Sequence, residues 1–223
     1  MRSTTPDADA INSDVYLVLG LTTSYKRVPE FPRVLSLLSS IFETTVQKNE
    51  LQLDTLEIKE TGSAFNGLRA PTLSIKRYIE RIFKYSKCSP SCFVLAYIYI
   101  ERYIQKPNMH LTSLNVHRLL ITSVVAAAKF IDDAFFSNAY YAKVGGISTK
   151  EMNRLEINFL FSLDFRLQVN VDTFTTYCSL LEKEAKIFRV DRPVKTCGIN
   201  KCTNIEDSKC QSAAVHRYSC GTV

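Results

Sequence analysis

The stretch from Val116 to Asp133 constrains the fold more than any other part of the chain, because the helix it predicts is apolar on nearly every side. At about 100° per residue, only Arg118, Thr122 and Lys129 form a narrow polar stripe. Three consecutive alanines, at positions 126–128, allow neighbouring helices to approach closely. A helix of this kind is buried at the centre of a bundle. The chain is therefore predicted to be all-α, with other helices packed around this central helix.

The other helices are predicted from apolar residues at helical spacing and from residues that cap helix ends. Thr72 is expected to cap one of them, and the Ser89-Pro90 step is a strong start signal for the next. Ser148 and Glu151 have the spacing of a capping box, which predicts that a helix begins at residue 149. Besides the central helix, the predicted helices span about residues 31–49, 72–85, 90–105, 149–163 and 171–187.

These helices divide the chain into five predicted segments. The two ends lack the apolar periodicity of a packed helix, so they are expected to be flexible. The segments are a flexible arm over residues 1–29, an N-terminal helix over 30–54, a connector over 55–70, the main helical domain over 71–188, and a disordered tail over 189–223.

Composition narrows the class of protein. The 223 residues are enough for one domain with a single core, and the net charge of +6 is spread along the chain without a basic stripe. No nucleic-acid partner is therefore expected. The apolar run from Val15 to Leu21 is too short to cross a bilayer and follows aspartates, not basic residues. We expect no membrane partner and a location in the nucleus and cytoplasm.

The sequence gives no sign of catalysis or of a cofactor. The seven cysteines do not have the spacing of a zinc module, and no HExxH or GxSxG motif is present. Gly145-Gly146 lacks the spacing of a phosphate-binding loop and predicts a turn instead. Asp132 and Asp133 are adjacent, so their side chains diverge on a helix, and a solvated helix end is expected. The chain is expected not to be an enzyme and to bind no metal or cofactor.

Two charged residues stand out against the apolar pattern. Lys129 leaves the central helix near its C-terminal end, where it either continues a solvated stripe or contacts a partner. Glu156 falls at the centre of the apolar stripe of the helix over 149–163. A carboxylate in that position must be paired or face something outside the domain. An internal salt bridge and a partner contact are both consistent with this pattern.

Four segments carry a resemblance to cyclins. SPSCFVLAYIYIERYI resembles the second helix of the cyclin box, with Glu101-Arg102 where many cyclins have Asp-Arg, and AAAKFIDD resembles the run that follows in the family. NAYYAKVGGISTKEMNRLEINFLFSLDF and FNGLRAPTLSIKRYIERIFKYSKCSPSCF are similar to the plant P-type cyclins, also called U-type. The first of these two is also similar to the yeast phosphate-signalling cyclin. The resemblance covers about residues 29–187.

This resemblance implies a single cyclin box of five helices around the central helix, with an extra N-terminal helix. It implies a regulatory subunit that forms a heterodimer with a cyclin-dependent Ser/Thr protein kinase and activates it, in cell division or in phosphate and nutrient signalling. Lys129 would donate hydrogen bonds to kinase backbone carbonyls, and Glu156 would accept them from kinase N–H groups. The apolar positions implied at the same interface are Phe130, Leu160, Phe165 and Leu167.

The chain also departs from cell-cycle cyclins. Thr72 stands where those cyclins have an arginine that pairs with the acid of the second helix, so Glu101 is expected to pair locally or not at all. The chain has no tryptophan, which argues against the substrate dock of those cyclins. Two alternatives remain open, a cyclin-fold adaptor that binds signalling or transcription proteins without activating a kinase, and a basic helical module on RNA or DNA. Kinase activation distinguishes the first, and binding at physiological salt distinguishes the second.

Overall fold

The computed structural model describes residues 8–21, 31–56, 63–107 and 109–190, and within them every regular element is a helix. The fold is all-α, as predicted. None of the helices in these ranges is both long and apolar enough to cross a membrane. The helices are α1 (Ala8–Leu19), α2 (Arg33–Leu56), α3 (Ile75–Ser86), α4 (Pro90–Ile104), α5 (Val116–Ile131), α6 (Asn138–Gly145), α7 (Thr149–Ser162) and α8 (Val171–Val190).

Helix α5 is the central helix, and α3, α4, α6 and α7 pack around it. Every residue from Leu119 to Ala128 is buried, including the polar Thr122 and Ser123. Their hydroxyls donate to the Arg118 and Leu120 carbonyl oxygens, so burial leaves neither hydroxyl without a partner. Arg118 and Lys129 emerge near opposite ends of α5.

Two predicted helix starts are confirmed and one is wrong. Ser89 is the N-cap of α4 with proline following it, and the Ser148 hydroxyl accepts a hydrogen bond from the Glu151 backbone N–H at 3.1 Å. Thr72, however, does not cap α3. Ser74 does so, because it directly precedes the first helical residue and its hydroxyl accepts from the Arg77 N–H.

The prediction of a flexible arm is wrong for residues 8–21, because helix α1 lies there. Val15 and Leu19, spaced four residues apart, are buried where α1 packs against α8. The Tyr16 hydroxyl is 2.9 Å from the Thr175 hydroxyl of α8, and Gly20 follows the helix with φ +75°. These apolar residues stabilise a helix only when α8 is present to cover them, which a local sequence pattern does not reveal.

Helix α6 was also missed, because eight residues are too few to show a clear period and Gly145-Gly146 predicted only a turn. Gly145 is the last residue of the helix, and Gly146 closes it with φ +73°. Tyr141, Ala142 and Val144 bury one side of α6 against the core.

The remaining predicted segments are only partly described. The N-terminal helix predicted over residues 30–54 corresponds to α2, and residues 63–70 of the connector contain no helix. The sequence predicts a disordered tail over residues 189–223, but residues 189 and 190 belong to α8. The rest of this predicted tail, with its four cysteines, lies outside the described residues.

Candidate functional site

Lys129 and Glu156 form an ion pair that joins α5 to α7. The Lys129 ammonium nitrogen is 2.7 Å from Glu156 Oε1, and the two side chains are 29% and 14% exposed. Lys129 lies in the last turn of α5, where the negative end of the helix dipole favours a cation. Of the two possibilities raised by the sequence for Glu156, an internal ion pair is present in this structure.

Asn138, the first residue of α6, completes this junction of three helices. Its side-chain nitrogen donates to Glu156 Oε2 at 2.6 Å and to Asn153 Oδ1 at 2.8 Å. Each Glu156 carboxylate oxygen therefore accepts one hydrogen bond. The carboxylate is held in a fixed position by groups from α5 and α6.

The ion pair retains hydrogen-bonding capacity for a partner. A lysine ammonium group carries three N–H donors, and each carboxylate oxygen can accept two hydrogen bonds. Lys129 uses one donor on Glu156, and each Glu156 oxygen uses one acceptor position on Lys129 or Asn138. The pair can therefore offer further donors and acceptors to backbone groups without breaking its own contact.

Of the four apolar residues implied by the resemblance, Phe130 and Leu160 are close in sequence to the two ends of this pair, and the other two lie in the loop after α7. Phe130 follows Lys129 and is 49% exposed, and Leu160 is half-buried one helical turn after Glu156 on the same face of α7. Phe165 is 58% exposed, whereas Leu167 is half-buried against the core. The Phe165 N–H donates to the Leu160 carbonyl oxygen at 2.9 Å, which brings the end of α7 and the following loop together.

The loop over residues 163–168 is held in shape by side chains of α4. Arg102 donates to the Arg166 carbonyl oxygen at 2.7 Å and to the Gln168 carbonyl oxygen at 3.3 Å. The Tyr99 hydroxyl donates to the Leu167 carbonyl oxygen at 2.7 Å. Asp164 and Phe165 have φ values of 50° and 57°, in the left-handed region that non-glycine residues rarely adopt. The contacts from α4 offset that strain and fix the direction of Phe165.

Sequence reasoning missed several parts of this surface. Phe161 is 65% exposed and packs edge-to-face against Phe165, with ring centroids 5.2 Å apart. Its place one helical turn after the exposed Ile157 is a signal that could have found it, because adjoining exposed apolar side chains mark interaction sites. Asn138 and Arg102 gave no such signal, since their partners are 18 and 64 residues away in sequence.

Asp132 is not part of a solvated helix end, so that prediction is wrong for this residue. Its carboxylate accepts hydrogen bonds from the Ser89 N–H at 3.0 Å, the Ser89 hydroxyl at 2.8 Å and the Cys92 thiol at 3.2 Å. Asp133 is exposed, as expected. Asp132 therefore ties the end of α5, next to Lys129 and Phe130, to the start of α4.

The Glu101 side chain makes no hydrogen bond or ion pair to another residue that the structure describes. Desolvation by burial raises the pKa of this carboxyl above its usual range. In the described part of the chain, no three residues with metal-binding side chains are close enough to hold an ion.

Comparisons with known proteins agree with this geometry. The Cyclin family model matches residues 32–167, a range that contains α2 as well as α3–α7. Cyclin-P3-1 of Oryza sativa subsp. japonica is 55% identical over 98% of this chain and 96% of its own length. Cyclin-U3-1 of Arabidopsis thaliana is 49% identical over 91% of this chain and 93% of its own length.

A further relative, Cyclin-U4-1 of Arabidopsis thaliana, is 51% identical over 70% of this chain and 78% of its own length. The matches to the P- and U-type proteins extend over most of the chain, well beyond the short segments that carried the resemblance. The chain belongs to the cyclin family, and within it to the plant P- or U-type cyclins.

Proposed function

We propose that this cyclin is a regulatory subunit that binds a cyclin-dependent Ser/Thr protein kinase and activates it, in cell division or in phosphate and nutrient signalling. The observation that carries the proposal is the Lys129–Glu156 ion pair, which has spare donors and acceptors and lies next to the exposed Phe130. Membership of the cyclin family supports a kinase partner. We further propose that the chain is not itself an enzyme and that it acts in the nucleus and cytoplasm.

The proposed contact follows the chemistry of the two ends of the pair. Lys129 donates to backbone carbonyls of the kinase, and Glu156 accepts from its backbone N–H groups. Hydrogen bonds to charged groups are about twice as strong as those between neutral groups. Phe130, Leu160, Phe165 and Leu167 supply the apolar area around these contacts.

Activation then follows from a shift in the kinase population. A subunit that binds only the active arrangement of the kinase raises the population of that arrangement. The size of the shift is set by the difference between the subunit's affinities for the active and the inactive arrangement. Moving the equilibrium from 1:99 to 99:1 requires a factor of about 10⁴, or about 5.5 kcal/mol of differential binding. The proposed surface can distinguish the two arrangements because it contacts backbone groups of the kinase, and the positions of those groups differ between the two arrangements.

The test is a pull-down of cyclin-dependent kinases from native extract, followed by an activity assay and a Kd measurement with purified kinase. Lys129→Ala and Glu156→Ala are each expected to weaken the complex by roughly 2 kcal/mol, about 30-fold in Kd, because each removes charge-assisted hydrogen bonds to backbone groups of the kinase and leaves those groups without a partner. Both variants are expected to remain folded, since the two side chains are partly exposed.

Two controls separate interface from core. Glu151→Ala removes the other ion pair between α5 and α7, Arg118–Glu151 at 2.7 Å, and is expected to leave the kinase Kd unchanged. Ala127→Leu overpacks a fully buried position and is expected to cost about 1–3 kcal/mol of fold stability, lowering kinase binding only in proportion.

If Glu156→Ala lowers the melting temperature sharply and leaves the kinase Kd unchanged, the pair is purely internal and the proposed contact is wrong. Kinase binding without any gain in activity would instead indicate an adaptor.

A further inference from the structure

A polar pocket lies at the end of α5 opposite to Lys129. It has a volume of about 280 Å³ and is bounded by α3, the first turn of α5, the end of α6 and the segment that precedes α3. The side chains that give it its chemistry are those of Arg69, Arg81, Arg118, His117 and Tyr78, with Leu73 and Ile147 among its apolar walls. None of these residues belongs to the proposed kinase-binding surface.

The lining of this pocket is strongly positive. Three arginines line it and no carboxylate does. Glu151, the acidic residue bound to Arg118, accepts from Arg118 Nε at 2.7 Å and neutralises one of the three charges. Two positive charges remain without a counter-ion in the lining. Because the site is concave, the electrostatic field of these charges is concentrated inside it.

Two of the arginines are held in fixed positions. Arg81 donates from Nε to the Val144 carbonyl oxygen at 2.7 Å and from Nη2 to the Lys143 carbonyl oxygen at 3.1 Å. Arg81 stays exposed to solvent while it makes these two contacts. An arginine has five N–H donors, so three of those on Arg81 remain after these bonds.

Arg118 is fixed from two sides. Its Nε donates to Glu151, and its Nη1 packs so closely against Gly67 that a side chain at position 67 would displace the guanidinium. The four N–H donors on the terminal nitrogens are not used by Glu151. Guanidinium groups that are positioned in advance lose little freedom when they bind an anion.

His117 is held in the wall of this pocket by a hydrogen bond to the segment that precedes α3. Its Nε2 is 2.7 Å from the Leu73 carbonyl oxygen, so Nε2 carries the proton and Nδ1 is the acceptor. Nδ1 is buried and has no hydrogen-bond partner among the described residues. Burial lowers the pKa of His117, which favours this neutral form at physiological pH. His117 is therefore a neutral and fixed part of the wall, and the arginines supply the donors that face a ligand.

We propose that this pocket binds a phosphoryl group, carried either by a small molecule or by a phosphorylated side chain. A phosphate offers several anionic oxygens, which match the paired N–H donors of guanidinium groups. A carboxylate has only one negative charge and two oxygens, and therefore satisfies fewer of these donors.

The pocket is separate from the proposed kinase-binding surface. Arg118 and Lys129 are eleven residues apart on α5, which corresponds to about 16 Å along the helix axis. The phosphoryl site therefore does not depend on the proposed kinase contact. A change in the pocket is expected to leave the Kd for the kinase unchanged.

The test measures binding to the full chain by titration calorimetry at constant ionic strength. The probes are inorganic phosphate and a phosphoserine peptide flanked by alanines, with sodium chloride and the unphosphorylated peptide as controls. Arg69→Gln is the main variant, because Arg69 is exposed and makes no hydrogen bond to another described residue, so its loss should not affect folding. Arg77→Gln is the matched control, since it removes the same charge from an exposed site on α3 outside the pocket.

Arg69→Gln is expected to weaken binding of the phosphorylated probe by about threefold or more relative to Arg77→Gln, because it removes a charge-assisted contact. Tighter binding of the phosphopeptide, with competition by phosphate, would identify a phosphorylated protein as the source. Equal or tighter binding of inorganic phosphate would identify a small molecule. The proposal is overturned if neither probe binds the wild-type chain above the controls, or if the two variants differ by less than this factor.

Discussion

Glu101 and Glu156 are both partly buried carboxylates, but only Glu156 has a counter-ion among the described residues. Lys129 and Asn138 satisfy Glu156, so its burial is compensated. Glu101 lies on α4 near Tyr97 and Tyr177, whose pKa values are raised mainly by burial and in part by its negative charge. The structure thus gives Glu156 a counter-ion and leaves Glu101 as a source of instability at neutral pH.

The prediction for Glu101 follows from the direction of its pKa shift. Burial raises the pKa of Glu101 in the folded state, so the folded chain holds this proton more tightly than the unfolded chain does. Ionisation at neutral pH therefore destabilises the fold, and this penalty disappears as pH falls below the unfolded pKa of about 4.3. Glu101→Gln is expected to raise the free energy of unfolding at pH 7, with a gain that shrinks toward zero near pH 4.

Urea denaturation of wild type and variant at both pH values checks this expectation. Asp54→Asn, an equivalent change at an exposed site on α2, is the control and is expected to show no such pH-dependent gain. A gain for Glu101→Gln that is the same at both pH values, or a loss at pH 7, would contradict an unpaired buried carboxylate.

At the scale of elements, the loop after α7 depends on α4 for its shape. Arg102 and Tyr99 bind three of its carbonyl oxygens, although α4 and the loop are more than 60 residues apart in sequence. The loop presents Phe165 and Leu167, which we propose as kinase contacts. The geometry of this part of the interface is therefore set by α4.

Arg102→Ala is expected to loosen the loop and to weaken kinase binding, because the carbonyl oxygens of Arg166 and Gln168 lose their donors while Asp164 and Phe165 keep their strained backbone. Hydrogen exchange of the amides over residues 164–168 measures the loosening, and the kinase Kd measures the consequence. Lys106→Ala is the matched control, since Lys106 lines the same surface without donating to the loop. Unchanged exchange in Arg102→Ala would show that the other contacts suffice.

The helices that could be predicted from the sequence are those with their own local signals. α5 has its apolar composition, α4 its Ser-Pro start and α7 its capping box, and each lies close to the predicted range. α1 and α6 could not be predicted, because their few apolar residues depend on α8 and on the core for cover.

The same distinction applies to the candidate site. Glu156 could be found because a charge interrupts an apolar stripe, whereas the roles of Asn138 and Arg102 depend on partners that are distant in sequence. Even for Glu156, the sequence left the choice between an internal pair and a partner contact open. The structure shows the internal Lys129–Glu156 pair at a partly exposed position, and the partner contact stays a proposal.

At the scale of the whole molecule, α1 and α8 form an outer layer beyond the helices that surround α5. α8 packs against α1, α2 and α4, and α1 covers part of α8 with Val15 and Leu19. This layer brings residues about 160 positions apart into contact, as in the Tyr16–Thr175 hydrogen bond. Residues 8–21 are therefore part of the folded domain, whereas the sequence predicts that residues 1–25 and 190–223 are both dispensable for kinase binding.

Two trimmed chains test this division. A chain of residues 8–190 is expected to match the full chain in stability and in kinase Kd, because the removed residues include none of the buried side chains described here. A chain of residues 31–190 also loses Val15 and Leu19, and full burial of such a side chain contributes about 1.5–3 kcal/mol. Its free energy of unfolding, measured in urea, is expected to fall by a few kcal/mol out of the roughly 5–15 kcal/mol typical of a domain.

Equal stability of the two trimmed chains would show that α1 is not part of the cooperative fold. Loss of kinase binding by the 8–190 chain would show that the removed residues have a role in the complex.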